Sequence, residues 1–132
     1  MRTIYEPLPL ETENIASSIF TAALAVHRTL GPGLLERVYE VCLCHELSTH
    51  GLKFQQQVNV PIVYDGIEFD EGYRLDILVE DQVIVELKAT DNSNPVWKAQ
   101  VLSYLKVTGK RLGLIINFNV PLLKDGVQRV IL

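Results

Sequence analysis

Cysteine is scarce in this chain. Its 132 residues include only Cys42 and Cys44, and two positions apart in a helical pattern their side chains diverge and cannot bridge. A disulfide-built scaffold is excluded, and a reducing, cytoplasmic setting is expected. Long apolar runs are also missing. The longest covers residues 22–26, far short of the roughly 20 residues that cross a bilayer. The first residues carry Glu6, Glu11 and Glu13 where a secretory leader needs positive charge and an apolar segment. Neither a membrane span nor an export signal is expected. No glycine-rich phosphate loop is present either: Gly31-Pro32-Gly33 joins two helical patterns and follows no strand, which excludes a nucleotide cradle. Cys42 and His45 have helical ligand spacing but lack two further ligands, so no zinc site is expected.

What is present describes one folded domain. Apolar residues make up 48% and charged ones 21%, enough to bury about two thirds of the unfolded surface. The core is placed at about 13–132, after an N-terminal extension at 1–12, and no linker or repeat divides the chain. The net charge of −4 hides an asymmetry. Residues 1–87 hold fourteen acids and five bases (−9), whereas residues 88–132 hold two acids and seven bases (+5). Lys88, Lys98, Lys106, Lys110, Arg111, Lys124 and Arg129 form either ordinary surface charge or a phosphate-facing surface beside an acidic centre.

Periodicity gives the elements. Ile15, Ile19, Ala22, Val26 and Leu30 keep helical spacing, so a first helix is predicted over about 13–29, stopped by Gly31-Pro32-Gly33. A second helix begins near Leu34 and ends at Gly51. From Phe54 the period changes to two, and Asp65-Gly66 marks a hairpin into a strand that ends at Val79. Glu80-Asp81-Gln82 allows another reversal into Val83-Ile84-Val85-Glu86-Leu87-Lys88, whose apolar run suits a buried strand. Asn94-Pro95 opens a helix ending near Gly109. Leu112 to Phe118 and Val127 to Leu132 read as the last two strands. The predicted order is ααβββαββ, an α/β domain with a mixed central sheet flanked by helices.

The charges at the end of the buried strand need a reason. Glu86 and Lys88 share one strand face, and the turn at 80–82 puts Asp76 nearly opposite Glu86 on the neighbouring strand. Two carboxylates aimed at one point repel unless a cation neutralises them or one holds a proton. Oxygen donors of this kind favour Mg²⁺ or Mn²⁺. The alternative is a pair of solvent-facing acids with Lys88 as their partner, but ionised groups in so apolar a strand are costly without a task.

Gly33-Leu34-Leu35-Glu36-Arg37-Val38-Tyr39 resembles the motif that names the GxxExxY proteins, and Asp76-x9-Glu86-Leu87-Lys88 is similar to the PD-(D/E)XK nuclease signature. The resemblance continues through Val26-His27, Gln100-x3-Tyr104 (similar to an element of RecB-like members) and Gly113-Leu114-Ile115-Ile116-Asn117-Phe118. It implies a restriction-endonuclease-like core in which Glu36, Asp76 and Glu86 surround a divalent metal, with the Leu87 carbonyl as a further oxygen and Lys88 as the catalytic-strand lysine. One metal or two is left open. Gln100 and Tyr104, four apart on a helix, are expected to support the site or touch substrate, as are Lys98 and Lys106. Tyr39 is expected to fix the helix that presents Glu36. One departure stands at Trp97-Lys98, where many relatives carry a His-Glu pair. Trp97 reads as core packing or as a stacking surface for an unpaired base. His27 reads as a hydrogen-bonded structural group.

The resemblance therefore implies Mg²⁺- or Mn²⁺-dependent hydrolysis of a nucleic-acid phosphodiester, DNA in the first place, by a protein that acts off the membrane, as a homodimer or with a partner protein where delivery requires one. The alternative is a nucleic-acid-binding or protein-interaction module that keeps the fold without catalysis.

Overall fold

The computed structural model describes residues 6–132, without the side chain of Glu71. The elements run α1 (Leu10–Leu30), α2 (Glu36–Thr49), β1 (Phe54–Tyr64), β2 (Ile67–Val79), β3 (Val83–Lys88), α3 (Pro95–Thr108), β4 (Leu112–Asn117) and β5 (Val127–Ile131), with a 3₁₀ turn over Leu123–Gly126. The helix and strand order is the one periodicity predicts. The sheet is laid out β1-β2-β3-β4-β5. Only β3 and β4 are parallel, joined through α3, and the other neighbours are antiparallel. None of the described helices is long and apolar enough to cross a membrane.

Both faces of this sheet are covered, which explains the apolar run of β3. On one face Val83, Val85 and Leu87 pack with Ile19, Tyr39, Leu43 and Leu47 of α1 and α2. On the other, Ile84 and Ile115 pack with Val101, Tyr104 and Leu105 of α3. Each fully buried aliphatic side chain contributes on the order of 1.5–3 kcal/mol. The approach of α3 to β4 depends on Gly113: a methyl there would collide with Val101 Cγ1.

The helix starts differ from expectation. α1 begins at Leu10 instead of 13, because Pro9 accepts the extended conformation that opens a helix and Glu11 and Glu13 favour its first turn. The extension placed at 1–12 lies outside the described residues as far as position 5, while Leu8 and Thr12 already pack on the core. Thr12 donates to Gln82 Oε1 at 2.8 Å, tying α1 to the β2–β3 turn. α2 begins at Glu36, not Leu34, with Leu35 as the extended residue before it. Glu36 thus stands in the first helical turn, and the side chain before it is left in solvent.

The β1–β2 pair is the longest of the sheet. Its turn uses Asp65 and Gly66 at φ 49° and 79°, the paired positive values that match the twist of a two-residue hairpin. Pro61, which has no N–H to donate, lies where the register slips between Val60 and Ile62.

Candidate active site

β2 and β3 pair only from Ile77↔Val85 to Val79↔Val83. Beyond Ile77 the strands part, and backbone N–H groups that a ladder would have satisfied need other acceptors. The carboxylates supply them. Leu87 N donates to Asp76 Oδ2 at 2.8 Å, and Asp76 N donates to Glu86 Oε1 at 3.3 Å. The two acids are therefore crossed over the mouth of a fork, each with one oxygen spent on backbone and one left over.

The fork is short of positive charge. Glu86 is only 5% exposed; burial first, and then the charge of Asp76, push its pKa up to about 8. Asp76 is raised by burial, an effect opposed by the Leu87 N–H and increased by Glu40. Glu36 reaches the group from α2: its residue is exposed, yet partial burial of the carboxyl and the charge of Asp76 raise it too. Lys88 is the cation that acts on all three. Its ammonium sits 5.4 Å from the centre of the Trp97 ring, so half-buried Trp97 both joins the α3 core cluster and holds the lysine by a cation–π contact.

Tyr104 closes the α3 side. It is buried, meets Tyr73 edge-on at 5.1 Å between ring centres, and its hydroxyl is held above its ordinary pKa by burial and by the charge of Glu86. Gln100 is half-buried on the same helix. Tyr39, in the first turn of α2, is fully buried, and its hydroxyl donates to Gly31 O at 2.6 Å and accepts from Leu34 N at 3.1 Å. Its ring stacks on Phe118 at 4.5 Å, so it fixes the turn from which Glu36 emerges. His27 is bonded through Nε2 to Val120 O at 2.8 Å, a structural contact.

The basic stretch is divided. Lys98 and Lys106 are exposed on α3, about 12 Å apart along its axis. Three other bases have structural work, which narrows the expected phosphate-facing surface: Lys110 pairs with Asp81, Arg129 pairs with Glu13, and Arg111 donates to the carbonyls of Glu6, Pro7 and Leu132.

Sequence reasoning missed three side chains. Glu40 is buried, 5% exposed, and accepts from Arg37, Gln56 and Gln57. Gln57 stands opposite Asp76 in β1. Asn117, the register partner of Lys88, holds the segment after β3 by exchanging hydrogen bonds with Thr90 N and Thr90 O. Glu40 lies four residues after Glu36, on the helical row that also presents Leu43 and Leu47 to the core. That position was the available signal.

The residues suit a hard cation in kind: oxygen donors, clustered negative charge, and proton affinities raised first by burial and then by neighbouring carboxylates. Among the described residues no three His, Cys, Asp or Glu side chains stand close enough to hold one ion as placed. Of the three acids, Glu36 is the exposed one.

The mixed α/β sheet thus opens at one end onto crossed carboxylates and a lysine. A family model described as the PD-(D/E)XK nuclease superfamily matches residues 13–130, and the chain belongs to that superfamily. Comparison with curated proteins and with solved structures gives no significant match.

Proposed function

We propose that this protein is a divalent-metal-dependent nuclease that hydrolyses phosphodiester bonds, with DNA as the leading substrate. The observation that carries the reading is the fork itself, where Asp76 and Glu86 meet with Lys88 on the same strand end as Glu86. Superfamily membership supports the reaction class. Glu36, Asp76, Glu86 and the Leu87 carbonyl are the groups that would hold Mg²⁺ or Mn²⁺. When bound, such a cation supplies a water of lowered pKa and offsets charge on the phosphate.

The chain's own residues then have separable tasks. Lys88, held over Trp97, orients the attacking water or meets the negative charge that grows on phosphorus. Glu86 keeps one oxygen on Asp76 N and leaves the other for the cation. Tyr104 and Gln100 bound the substrate side, Lys98 and Lys106 offer phosphate contacts, and Tyr39 keeps α2 in place. The net-negative chain is best served by a homodimer or a partner protein for substrate delivery, and its working place is the cytoplasm.

The test is incubation of purified parent, Glu86→Gln and Lys88→Ala with labelled linear, circular and single-stranded DNA and with RNA, in Mg²⁺, Mn²⁺ or chelator. Cation-dependent products from the parent alone support the reading. Equal blanks overturn it, and retained binding without products selects the second reading, a non-catalytic binding module on the same fold. That reading is favoured by one observation, the absence of three convergent ligands among the described residues.

A further inference from the structure

We propose that Gln57 is a positioning residue: gripped by Glu40 in a left-handed backbone conformation inside β1, it aims its amide at Asp76 and fixes that carboxylate across the fork. The inference rests on the reading above, in which Asp76 is a working group, and adds how it is held.

Three observations converge on Gln57. First, its φ is 52° in the middle of a strand, a conformation that is strained for a side-chain-bearing residue and persists only where the surroundings enforce it. Second, the β1–β2 register runs Gln56↔Ile77 and then Val58↔Leu75. The ladder is interrupted where Gln57 faces Asp76, without a shift in register on either side. Third, Gln57 Nε2 donates to both oxygens of Glu40, at 3.2 and 3.3 Å, which holds the amide at the strand position facing Asp76, and the Gln57 side chain acts to lower the proton affinity of Asp76. One amide has two hydrogens and can serve two carboxylates at once.

What enforces the strained backbone is Glu40. It is a buried acid on α2 whose other partners are Gln56 at 2.9 Å and Arg37 at 3.3 Å. Gln56 and Gln57 are consecutive in a strand, so ordinary geometry would send them to opposite faces. The left-handed turn at Gln57 lets both reach one carboxylate. Glu40 thereby joins the helix that carries Glu36 to the strand position facing Asp76, and the two acids from different elements share one frame. Asp76 in turn is braced from the far side by Leu87 N.

The test compares parent, Gln57→Gly and Glu40→Gln by thermal unfolding, by the chemical shift and hydrogen exchange of the Leu87 amide, and by cleavage kinetics. Glycine adopts φ 52° without steric cost, so Gln57→Gly keeps the backbone and removes only the amide. The expected result is Leu87 exchange faster by about tenfold and kcat lower by about tenfold with KM for nucleic acid unchanged, the loss of one charge-assisted hydrogen bond at Asp76, while the unfolding temperature reads the strain relieved at residue 57 against the bonds lost by Glu40. Glu40→Gln shifts Leu87 in the same direction. An unchanged Leu87 amide in both variants overturns the proposal. A Gln57→Gly protein in which amide shifts spread through the core and kcat and KM both change also overturns it, by showing a purely structural role. If the parent cuts nothing in any metal but Leu87 responds, the nuclease reading fails while the positioning of Asp76 stands.

Discussion

Replacing Glu86 by glutamine should make the metal-free protein more stable while abolishing its chemistry. Glu86 is 5% exposed, and burial beside Asp76 raises its pKa from 4.5 to about 8. An acid whose folded pKa exceeds its unfolded one binds more protons in the native state, so stability falls as pH rises between the two values. The contribution is fully present below about pH 4.5, is lost progressively toward pH 8, and is flat beyond. The full loss is on the order of 5 kcal/mol, set against a typical domain stability of roughly 5–15 kcal/mol. Glutamine has the same shape, can keep accepting from Asp76 N, and never ionises. Urea unfolding of parent and Glu86→Gln in chelator at pH 5, 7 and 9 measures the difference. The variant should gain little at pH 5 and several kcal/mol at pH 9, and in a separate assay with Mg²⁺ it should give no cleavage. Parallel stability curves for the two proteins across this range would refute the claim that Glu86 is a buried, repelled carboxylate.

Other consequences of the structure can be checked separately. Tyr39→Phe leaves Gly31 O and Leu34 N without their shared partner and should cost about 1–3 kcal/mol by chemical denaturation, with amide shifts concentrated at residues 31–36. Gly113→Ala should destabilise by about 1–3 kcal/mol because its methyl overlaps Val101 Cγ1; adding Val101→Ala should restore part of that loss, a coupling readable in a double-mutant cycle. Lys98→Glu and Lys106→Glu should weaken nucleic-acid binding and flatten its salt dependence, whereas Lys110→Glu, whose ammonium already pairs with Asp81, should act mainly on stability. Equal effects from all three would show that α3 is not a phosphate track.

The element order was legible because each segment has one dominant period and clear stops. Gly31-Pro32-Gly33 can end a helix, Asp65-Gly66 can turn a hairpin, and the apolar run of β3 fits a strand covered on both faces. The start of α1 was less legible, since Pro9 and two early acids decide it and apolar periodicity does not extend that far. At the site, Asp76, Glu86 and Lys88 follow from period-two spacing around a short turn. Glu40 and Gln57 did not, for a physical reason. A glutamate on a helix reads as surface until its partners are known, and Gln56 and Gln57 lie 16 and 17 residues away in sequence. Their convergence depends on one backbone angle, which strand alternation argues against. The basic stretch left two readings open in the sequence, and what sequence could not show is that Lys110, Arg111 and Arg129 have partners within the chain.

The central claim is that the fork between β2 and β3 is a cation-binding centre. Its most direct test is anomalous diffraction from crystals soaked in Mn²⁺. The account predicts a peak bounded by Asp76 and Glu86, with Glu36 turned toward it and the Leu87 carbonyl within ligating distance, and no peak in Glu86→Gln crystals. Mn²⁺ seated elsewhere, or a fork that stays crossed and empty at saturating Mn²⁺, would contradict it.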